Sequence, residues 1–302
     1  MLMLEQLPAP YLAPTLRTLE HPEWGRLTLL DESRNHSGTH KDRMAIAIAS
    51  AYQAMLVQNP ALRLSIISSG SAAYAIQSLF NRLGMPPLKV LIDRLRPEAA
   101  LLDDLGCQVY RCDLGARMLT PSDILALTDN PAGIEVTSNM AIRPYESYYR
   151  DMVAELAHFG PGYIFVPFGT GHLYGSFLSC RAFRDASAVH VIGGATQCPD
   201  SRADKLYAPF NPFCVVNDNF IKTKIALGEI GARSRVHGFS EAALDRALLL
   251  ADELGLDVEP SALGGLAAMI DLHGQGQLPA AAHRLAVLTG KSAVYRQLQA
   301  AL

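Results

Sequence analysis

Short apolar runs alternate with helical periods along most of this chain, and this alternation constrains the fold more than any other feature. A strand followed by a helix returns to a parallel neighbour, so the pattern predicts an α/β fold with parallel sheets and helices on both faces. Ligand sites in such folds form at the loops that leave the carboxyl ends of strands. The loops after Ile67, Phe168 and Leu288 are therefore the candidates for a functional site.

Apolar spacing, together with glycine and proline punctuation, predicts the individual elements. Strands are predicted at residues 62–67, 88–92, 107–112, 163–168, 188–193 and 285–288. Helices are predicted at residues 41–58, 72–83, 97–105, 121–127, 145–159, 173–183, 241–254 and 261–273. Residues 197–238 contain prolines and no clean period, and we interpret them as a segment that covers the site.

Composition excludes several classes of function. The chain has 302 residues, 49% hydrophobic and 18% charged, which is typical of a globular protein with one large domain or two ordinary ones. A net charge of −3 without a basic block makes nucleic acid and anionic membrane poor candidate partners. The apolar runs are too short to span a bilayer, and the first residues do not resemble a secretory signal, so a cytoplasmic location is expected.

The five cysteines are scattered and have no C-x-x-C spacing. An odd, dispersed set favours reduced thiols over a disulfide framework or a zinc site, so no metal is expected. The positions are Cys107, Cys112, Cys180, Cys198 and Cys214.

Lys41 stands where a loop rich in small hydroxyl residues becomes a helix, with Thr39 as the predicted N-cap. The first turn of a helix carries unpaired N–H groups and a partial positive charge, which disfavours an ammonium group. A lysine that must be neutral, or must form a Schiff base, is better suited to this place. The alternative is a solvated first-turn lysine beside Asp42.

Gly169-Thr170-Gly171-His172 follows an apolar strand and opens a helix. Glycines allow backbone N–H groups to approach a ligand, and a helix start favours an anion, so the segment is typical of a phosphate cradle. Its spacing matches neither a P-loop nor the dinucleotide fingerprint. A turn that serves only packing is the alternative.

Ser68-Ser69-Gly70-Ser71-Ala72 forms a second strand-to-helix turn. Hydroxyl and N–H groups at a helix start suit a carboxylate, whereas a serine-capped helix is the equally weighted alternative. A hydroxyl residue, Thr289, also ends the last predicted strand, although alone it is uninformative.

Taken together, these loops match a known family in order and in type. Residues 35–43, NHSGTHKDR, resemble the block N-x-[ST]-G-S-x-K-x-R, the Ser68 loop resembles S-[ST]-G-N, and the Gly169 loop resembles G-T-G-G. The chain thereby resembles the tryptophan-synthase-β superfamily of pyridoxal-phosphate enzymes (fold type II) over roughly residues 29–290. The superfamily includes cysteine synthase, threonine synthase and the serine/threonine ammonia-lyases.

The resemblance implies two doubly wound α/β domains with the cofactor in the cleft between them. Residues 1–45 and 146–302 would form the larger C-terminal-type domain, and residues 46–145 the smaller N-terminal-type domain. A homodimer is expected because dimerisation is the habit of the family.

The resemblance also implies which residues bind the cofactor, pyridoxal 5′-phosphate. Lys41 would be the catalytic lysine that forms the Schiff base. Thr289 falls where relatives place a hydroxyl or thiol residue against the pyridine nitrogen, and Ser261 competes for that role. The remaining cofactor-binding positions are Ser71, Gly169, Thr170, Gly171 and His172.

The substrate carboxylate is assigned to the second turn, at Ser68, Ser69, Gly70 and Ala72. Two departures accompany these assignments. Ser71 stands where the family has an asparagine, and His172 with Leu173 replaces a Gly-Thr pair.

The implied activity is β-elimination from a small L-amino acid to an aminoacrylate, followed by β-replacement, as in cysteine synthase or threonine synthase. A neutral hydroxyl at the ring nitrogen limits the electron sink and favours loss of a β-substituent over transamination. The alternatives are a serine/threonine ammonia-lyase, a non-catalytic cofactor-binding pseudoenzyme, and a nucleotide-binding α/β protein whose Gly169 loop binds a phosphate.

Overall fold

The computed structural model describes residues 11–116, 119–137, 148–179, 185–207, 216–279 and 282–300. Within these ranges the strands are β1 Thr15–His21, β2 Gly25–Asp31, β3 Leu64–Ile67, β4 Lys89–Asp93, β5 Gln108–Cys112, β6 Ile134–Glu135, β7 Tyr163–Pro167, β8 His190–Ala195, β9 Arg235–Gly238 and β10 Arg284–Leu288. The α-helices are α1 Lys41–Gln58, α2 Ser71–Leu83, α3 Glu98–Asp104, α4 Pro121–Leu127, α5 Arg150–Ala157, α6 His172–Ser179, α7 Asp218–Ala226, α8 Glu241–Glu253, α9 Gly264–Gly274 and α10 Ala293–Ala300. No helix in these ranges is long and apolar enough to cross a membrane.

The chain divides into two compact units. Unit 1 comprises Met1–Ala13, Arg34–Tyr148 and Ser292–Leu302, and unit 2 comprises Pro14–Ser33 and Tyr149–Lys291. This division places residues 34–45, including Lys41, with unit 1, whereas the sequence-based boundary at residue 45 groups them with the other domain. The contacts of the lysine loop with α2, described below, account for the difference.

Unit 1 contains a four-stranded parallel sheet in the order β5-β4-β3-β6. Helices α1 and α2 pack against each other, and α10 packs on α2 and α3. The buried rings of Tyr52 and Phe80 meet with centroids 5.4 Å apart, and the Tyr52 hydroxyl donates to the Leu62 carbonyl at 2.7 Å. This bond satisfies the polar end of a buried ring and ties α1 to the entry of β3.

Unit 2 contains a six-stranded sheet in the order β1-β2-β10-β7-β8-β9. Strands β1 and β2 form an antiparallel edge hairpin, and the remaining pairs are parallel. Helices α8 and α9 cover an apolar cluster that includes Leu27, Phe165 and Leu266. Because β7, β8 and β10 are parallel neighbours, the loops that follow them leave from the same edge of this sheet.

The α/β fold with parallel sheets is confirmed, and α1 and α4 have the predicted bounds. Helix 261–273 divides into a 3₁₀ turn, Pro260–Leu263, and α9. Residues 197–238 are more regular than expected, because they contain α7 and β9.

Residues 145–147 and 180–183, the predicted ends of two helices, lie outside the described ranges, as do Cys180 and Cys214. Cys107, Cys112 and Cys198 are free thiols.

The sequence analysis missed the hairpin β1–β2 and helix α10. Strand β1 lies at the edge of the sheet and its residues are partly or fully exposed, so it lacks the apolar run that marked the buried strands. In α10 only Val294 is buried, which leaves a weak apolar period for a sequence-based prediction.

Candidate active site

Lys41 is the first residue of α1, as predicted, and a buried carboxylate organises the loop before it. Asp42 is fully buried, and its Oδ2 accepts from the Ser37 N–H at 2.7 Å and from Ser37 Oγ at 2.9 Å. The N-cap residue is His40 rather than the predicted Thr39. Thr39 Oγ1 still accepts from the Lys41 N–H at 3.2 Å, so its hydroxyl satisfies the first N–H of the helix.

The lysine loop is also held against α2. The His36 ring stacks on Tyr11 with centroids 4.9 Å apart, and its Nε2 lies 3.2 Å from Ser78 Oγ. Arg82 Nη2 lies 3.4 Å from His36 Nδ1, and burial together with this guanidinium lowers the pKa of His36. A neutral imidazole therefore joins the lysine loop to the second helix of unit 1.

The environment of Lys41 differs from that of the other lysines. Lys41 is partly buried, and burial lowers its pKa from 10.5 to about 8. Lys222 is exposed. The remaining lysines donate to carboxylates or backbone carbonyls: Lys89, Lys205, Lys224 and Lys291. The lowered pKa suits Lys41 to act as a neutral amine near physiological pH.

The second predicted site is the turn between β3 and α2. Ser68 is buried, and its Oγ accepts from the N–H of Gly70 at 3.1 Å and of Ala73 at 3.2 Å. Ser69 is exposed, and Ser71 is partly exposed at the first position of α2. Ser68 therefore shapes the turn, while the exposed hydroxyl and the N–H groups of the helix start can meet a carboxylate.

Gly70 is required by the geometry of this turn. Its φ of +122° lies in a region of backbone conformation that residues with a side chain rarely adopt. A Cβ atom there would lie 3.1 Å from Cγ of Glu98. The turn consequently packs closely on the start of α3. Ala72, the other residue predicted here, lies in the first turn of α2.

The Gly169–His172 loop joins β7 to α6, as predicted. Gly171 has a φ of +85°, and the Gly175 N–H donates to the Gly171 carbonyl at 2.7 Å, which begins the helix. Thr170 Oγ1 lies 3.3 Å from Nδ1 of the buried His172. The loop therefore has the glycine turn and the helix start that an anion site needs.

Lys205 and Glu259 lie beside this loop, and the sequence analysis missed both. Lys205 Nζ donates to both carboxylate oxygens of Glu259, at 2.8 and 2.9 Å. A Cβ atom on Gly169 would lie 3.0 Å from the Lys205 carbonyl oxygen, so the loop backbone is pressed against Lys205. No local pattern marks Lys205, which lies in the irregular stretch, whereas Glu259 stands two residues before the predicted Ser261.

The two candidates for the ring nitrogen, Thr289 and Ser261, lie on hydrogen-bonded segments. The Glu259 N–H donates to the Gly290 carbonyl at 3.1 Å, which joins the start of the 3₁₀ turn to the end of β10. Ser261 is buried, and its Oγ accepts from the Lys205 N–H at 3.3 Å. Thr289 is partly exposed. The structure thus brings both hydroxyls to the edge of the sheet where the Gly169 loop begins.

Comparison of the sequence with known protein families identifies the family of the chain. Residues 8–290 match the sequence pattern of the family described as "Pyridoxal-phosphate dependent enzyme". The chain belongs to this family. Its cofactor is pyridoxal phosphate, as the motifs predicted. No curated protein matches the chain significantly.

Solved structures of similar fold include O-ureido-L-serine synthase, at 19% identity and a TM-score of 0.70, covering 93% of this chain and 90% of that one. Serine racemase from maize has 16% identity and a TM-score of 0.69, with 97% and 95% covered. O-acetylserine-dependent cystathionine β-synthase from Helicobacter pylori has 12% identity and a TM-score of 0.69, with 94% of each chain covered. At these identities the likeness shows a shared fold type II architecture.

The residues of this family member fit its cofactor. The Gly169 turn leaves little room for a side chain, because a Cβ atom there would lie 3.0 Å from the Lys205 carbonyl oxygen. The start of α6 favours an anionic phosphate. Lys41 supplies an amine whose pKa of about 8 leaves a substantial neutral fraction near physiological pH. Within the described ranges, no group of three or more His, Cys, Asp or Glu side chains could hold a metal ion.

Proposed function

We propose that this enzyme replaces the β-substituent of a small L-amino acid, in the manner of cysteine synthase or threonine synthase. The observation that carries the proposal is the state of Lys41, a partly buried amine at the start of α1 with a pKa lowered to about 8. Such an amine can both hold the cofactor covalently and accept a proton near neutral pH.

Lys41 has two tasks in this proposal. Its Nζ would hold the cofactor covalently, and when free it would accept the proton from the substrate Cα. The hydrogen bonds from Ser37 to Asp42 and from the Lys41 N–H to Thr39 fix the backbone that carries this side chain. A fixed backbone reduces the number of positions that the Lys41 amine can occupy, which favours its reactive geometry.

The Ser68–Ala72 turn binds the substrate carboxylate. Ser68 holds the turn through the N–H groups of Gly70 and Ala73, and Ser69 with the start of α2 provides donors. Ser71, where relatives have asparagine, presents a shorter side chain toward the cofactor ring hydroxyl in this assignment. The Gly169–His172 loop binds the phosphate in the same proposal.

The choice of reaction depends on the group at the ring nitrogen. When bound, pyridoxal phosphate supplies the electron sink that stabilises negative charge at the substrate Cα. Thr289 or Ser261 offers a neutral hydroxyl there, and the nearby carboxylate of Glu259 is held by Lys205. A neutral hydroxyl hydrogen-bonds the ring nitrogen without protonating it, which supports loss of a β-substituent over transamination.

A substrate screen tests the proposal. The names of two structural neighbours specify serine derivatives, so the screen begins with O-acetyl-, O-phospho- and unmodified serine and threonine. The purified holoenzyme is mixed with each compound, with and without sulfide or a thiol. The cofactor spectrum, released acetate or phosphate, ammonia, keto acid and amino-acid product are recorded.

A β-replacement enzyme should form a new amino acid only when the nucleophile is present. Ammonia and keto acid in its absence and in equal amount in its presence would identify an ammonia-lyase instead. A spectrum unchanged by every amino acid would contradict both activities and leave a cofactor-binding pseudoenzyme.

A further inference from the structure

We propose that Lys205 and Glu259 are positioning residues that set the shape of the phosphate loop. The proposal rests on the assignment of Gly169–Gly171 to the cofactor phosphate made above. Neither side chain belongs to the motifs that identify the family, and their role follows from their contacts within unit 2.

The pair itself is well formed and mostly removed from water. Lys205 Nζ lies 2.8 Å from Oε2 and 2.9 Å from Oε1 of Glu259, so a single ammonium group bonds both carboxylate oxygens. The Lys205 and Glu259 side chains are 14% and 7% exposed. Removal of one partner would strand a charge in a poorly solvated place, so the pair strongly couples the two segments that carry it.

The main chain of Lys205 connects the pair to two parts of the site. Its carbonyl oxygen lies against Gly169, 3.0 Å from the position of a Cβ atom, and therefore forms one wall of the phosphate loop. Its N–H donates to Ser261 Oγ at 3.3 Å. A displacement of Lys205 would consequently reach both the loop and one candidate for the ring nitrogen.

Glu259 extends the connection to the last strand. Its N–H donates to the Gly290 carbonyl at 3.1 Å, directly after Thr289. The ion pair thus joins the segment that follows β8 to the segment between α8 and α9, and through their main chains it touches the loops that leave β7 and β10. The Lys205–Glu259 contact therefore links three loops at one edge of the sheet.

The experiment compares cofactor binding with and without its phosphate. Apoenzyme is titrated with pyridoxal phosphate and with pyridoxal. The Kd for pyridoxal divided by the Kd for pyridoxal phosphate measures the contribution of the phosphate. Glu259→Gln and Lys205→Met should each lower this ratio by about tenfold or more, mainly by weakening pyridoxal phosphate. The double variant should lose no more than either single variant, because the two residues act as one unit.

Two variants separate positioning from general stability. Lys205→Arg keeps the positive charge and should retain most of the wild-type Kd ratio. Asp257→Asn is a matched control, because Asp257 lies two residues from Glu259 and accepts from Lys291 Nζ at 2.9 Å, with a side chain 63% exposed. It should leave the ratio unchanged. A lower melting temperature without a lower ratio in the Lys205 and Glu259 variants would show a merely structural pair.

The failure of this inference can be told apart from failure of the phosphate-loop assignment. Gly169→Ala tests the loop directly. If it lowers the ratio while Lys205→Met and Glu259→Gln do not, the loop assignment stands and the positioning role is overturned. If all three variants keep the wild-type ratio, the phosphate binds elsewhere and both proposals are overturned. Should Glu259→Gln not fold, Lys205→Met and Lys205→Arg decide the question alone.

Discussion

The turns that carry Lys41 and Ser68 in unit 1 are shaped mainly by hydrogen bonds between sequence neighbours, whereas the Gly169 loop of unit 2 also lies against a residue far along the chain. Asp42 fixes the lysine loop through Ser37, and Ser68 fixes its own turn through Gly70 and Ala73. The Gly169 loop instead lies against Lys205, whose side chain forms an ion pair with Glu259. Short motifs therefore contain more of the support for the two turns of unit 1 than for the Gly169 loop of unit 2.

The largest expected effect is in unit 1. Lys41→Ala should abolish covalent attachment of the cofactor and lower kcat by about 10³-fold or more, because the amine is both the point of attachment and the proton acceptor. Absorbance of the holoenzyme and steady-state kinetics measure the two losses. Lys222→Ala, at an exposed lysine, is the control and should resemble wild type. An intact cofactor band in Lys41→Ala would show that another residue holds the cofactor.

In unit 2, Gly169→Ala should weaken pyridoxal phosphate by about tenfold or more, because its Cβ would press on the Lys205 carbonyl at 3.0 Å and shift the loop. The Kd from titration of apoenzyme measures the effect. Gly274→Ala at the end of α9 is the control, since nothing lies within 4 Å of its Cβ position. Equal affinity in the two variants would mean that the Gly169 loop does not bind the phosphate.

In unit 1, the rate of cofactor attachment at Lys41 should depend on pH. Burial lowers the pKa of Lys41 to about 8, so the rate at which apoenzyme attaches the cofactor should rise about tenfold per pH unit below pH 8 and level off above it. The same shift makes a buried charge unfavourable, so its destabilisation of the apoenzyme is complete below about pH 8 and is relieved as pH rises from 8 toward 10.5. Stopped-flow mixing at a series of pH values measures the rate. A rise that continues to pH 10 would indicate an ordinary exposed lysine.

The smallest effect is expected at Ser68. Ser68→Ala removes the acceptor of two backbone N–H groups and should cost about 0.5–2 kcal/mol of unfolding free energy. The loosened turn should also raise the KM for the amino acid several-fold with a smaller change in kcat. Denaturant unfolding and kinetics measure both, with the exposed Ser50→Ala as control. An unchanged KM would separate Ser68 from substrate binding.

What could be predicted from the sequence depends on how close the supporting residues lie along the chain. The helix from Lys41 and the loops at Ser68 and Gly169 were predictable, because apolar period, glycine and hydroxyl residues lie close together in the chain. The Lys205–Glu259 ion pair was not, because its partners lie 54 residues apart and an isolated lysine carries no period or motif. The edge hairpin β1–β2 was missed for a related reason, since its partly exposed β1 needs only a weak apolar pattern.

The choice between Thr289 and Ser261 as the partner of the pyridine nitrogen also depends on contacts between residues far apart in the chain. Both are hydroxyl residues beside glycine or proline, and sequence offered no basis for choosing between them. In the structure the Glu259–Gly290 hydrogen bond joins their segments, and Lys205 bonds Ser261. A comparison of Thr289→Ala with Ser261→Ala, by the spectrum of the bound cofactor, would sharpen the choice.

The central claim is that Lys41, among the six lysines of the chain, holds the cofactor. The most direct test is reduction of the holoenzyme with borohydride, followed by proteolysis and mass spectrometry of the labelled peptide. We expect a single pyridoxyl-phosphate adduct, on Lys41. An adduct on Lys205 or any other lysine, with Lys41 unlabelled, would contradict it.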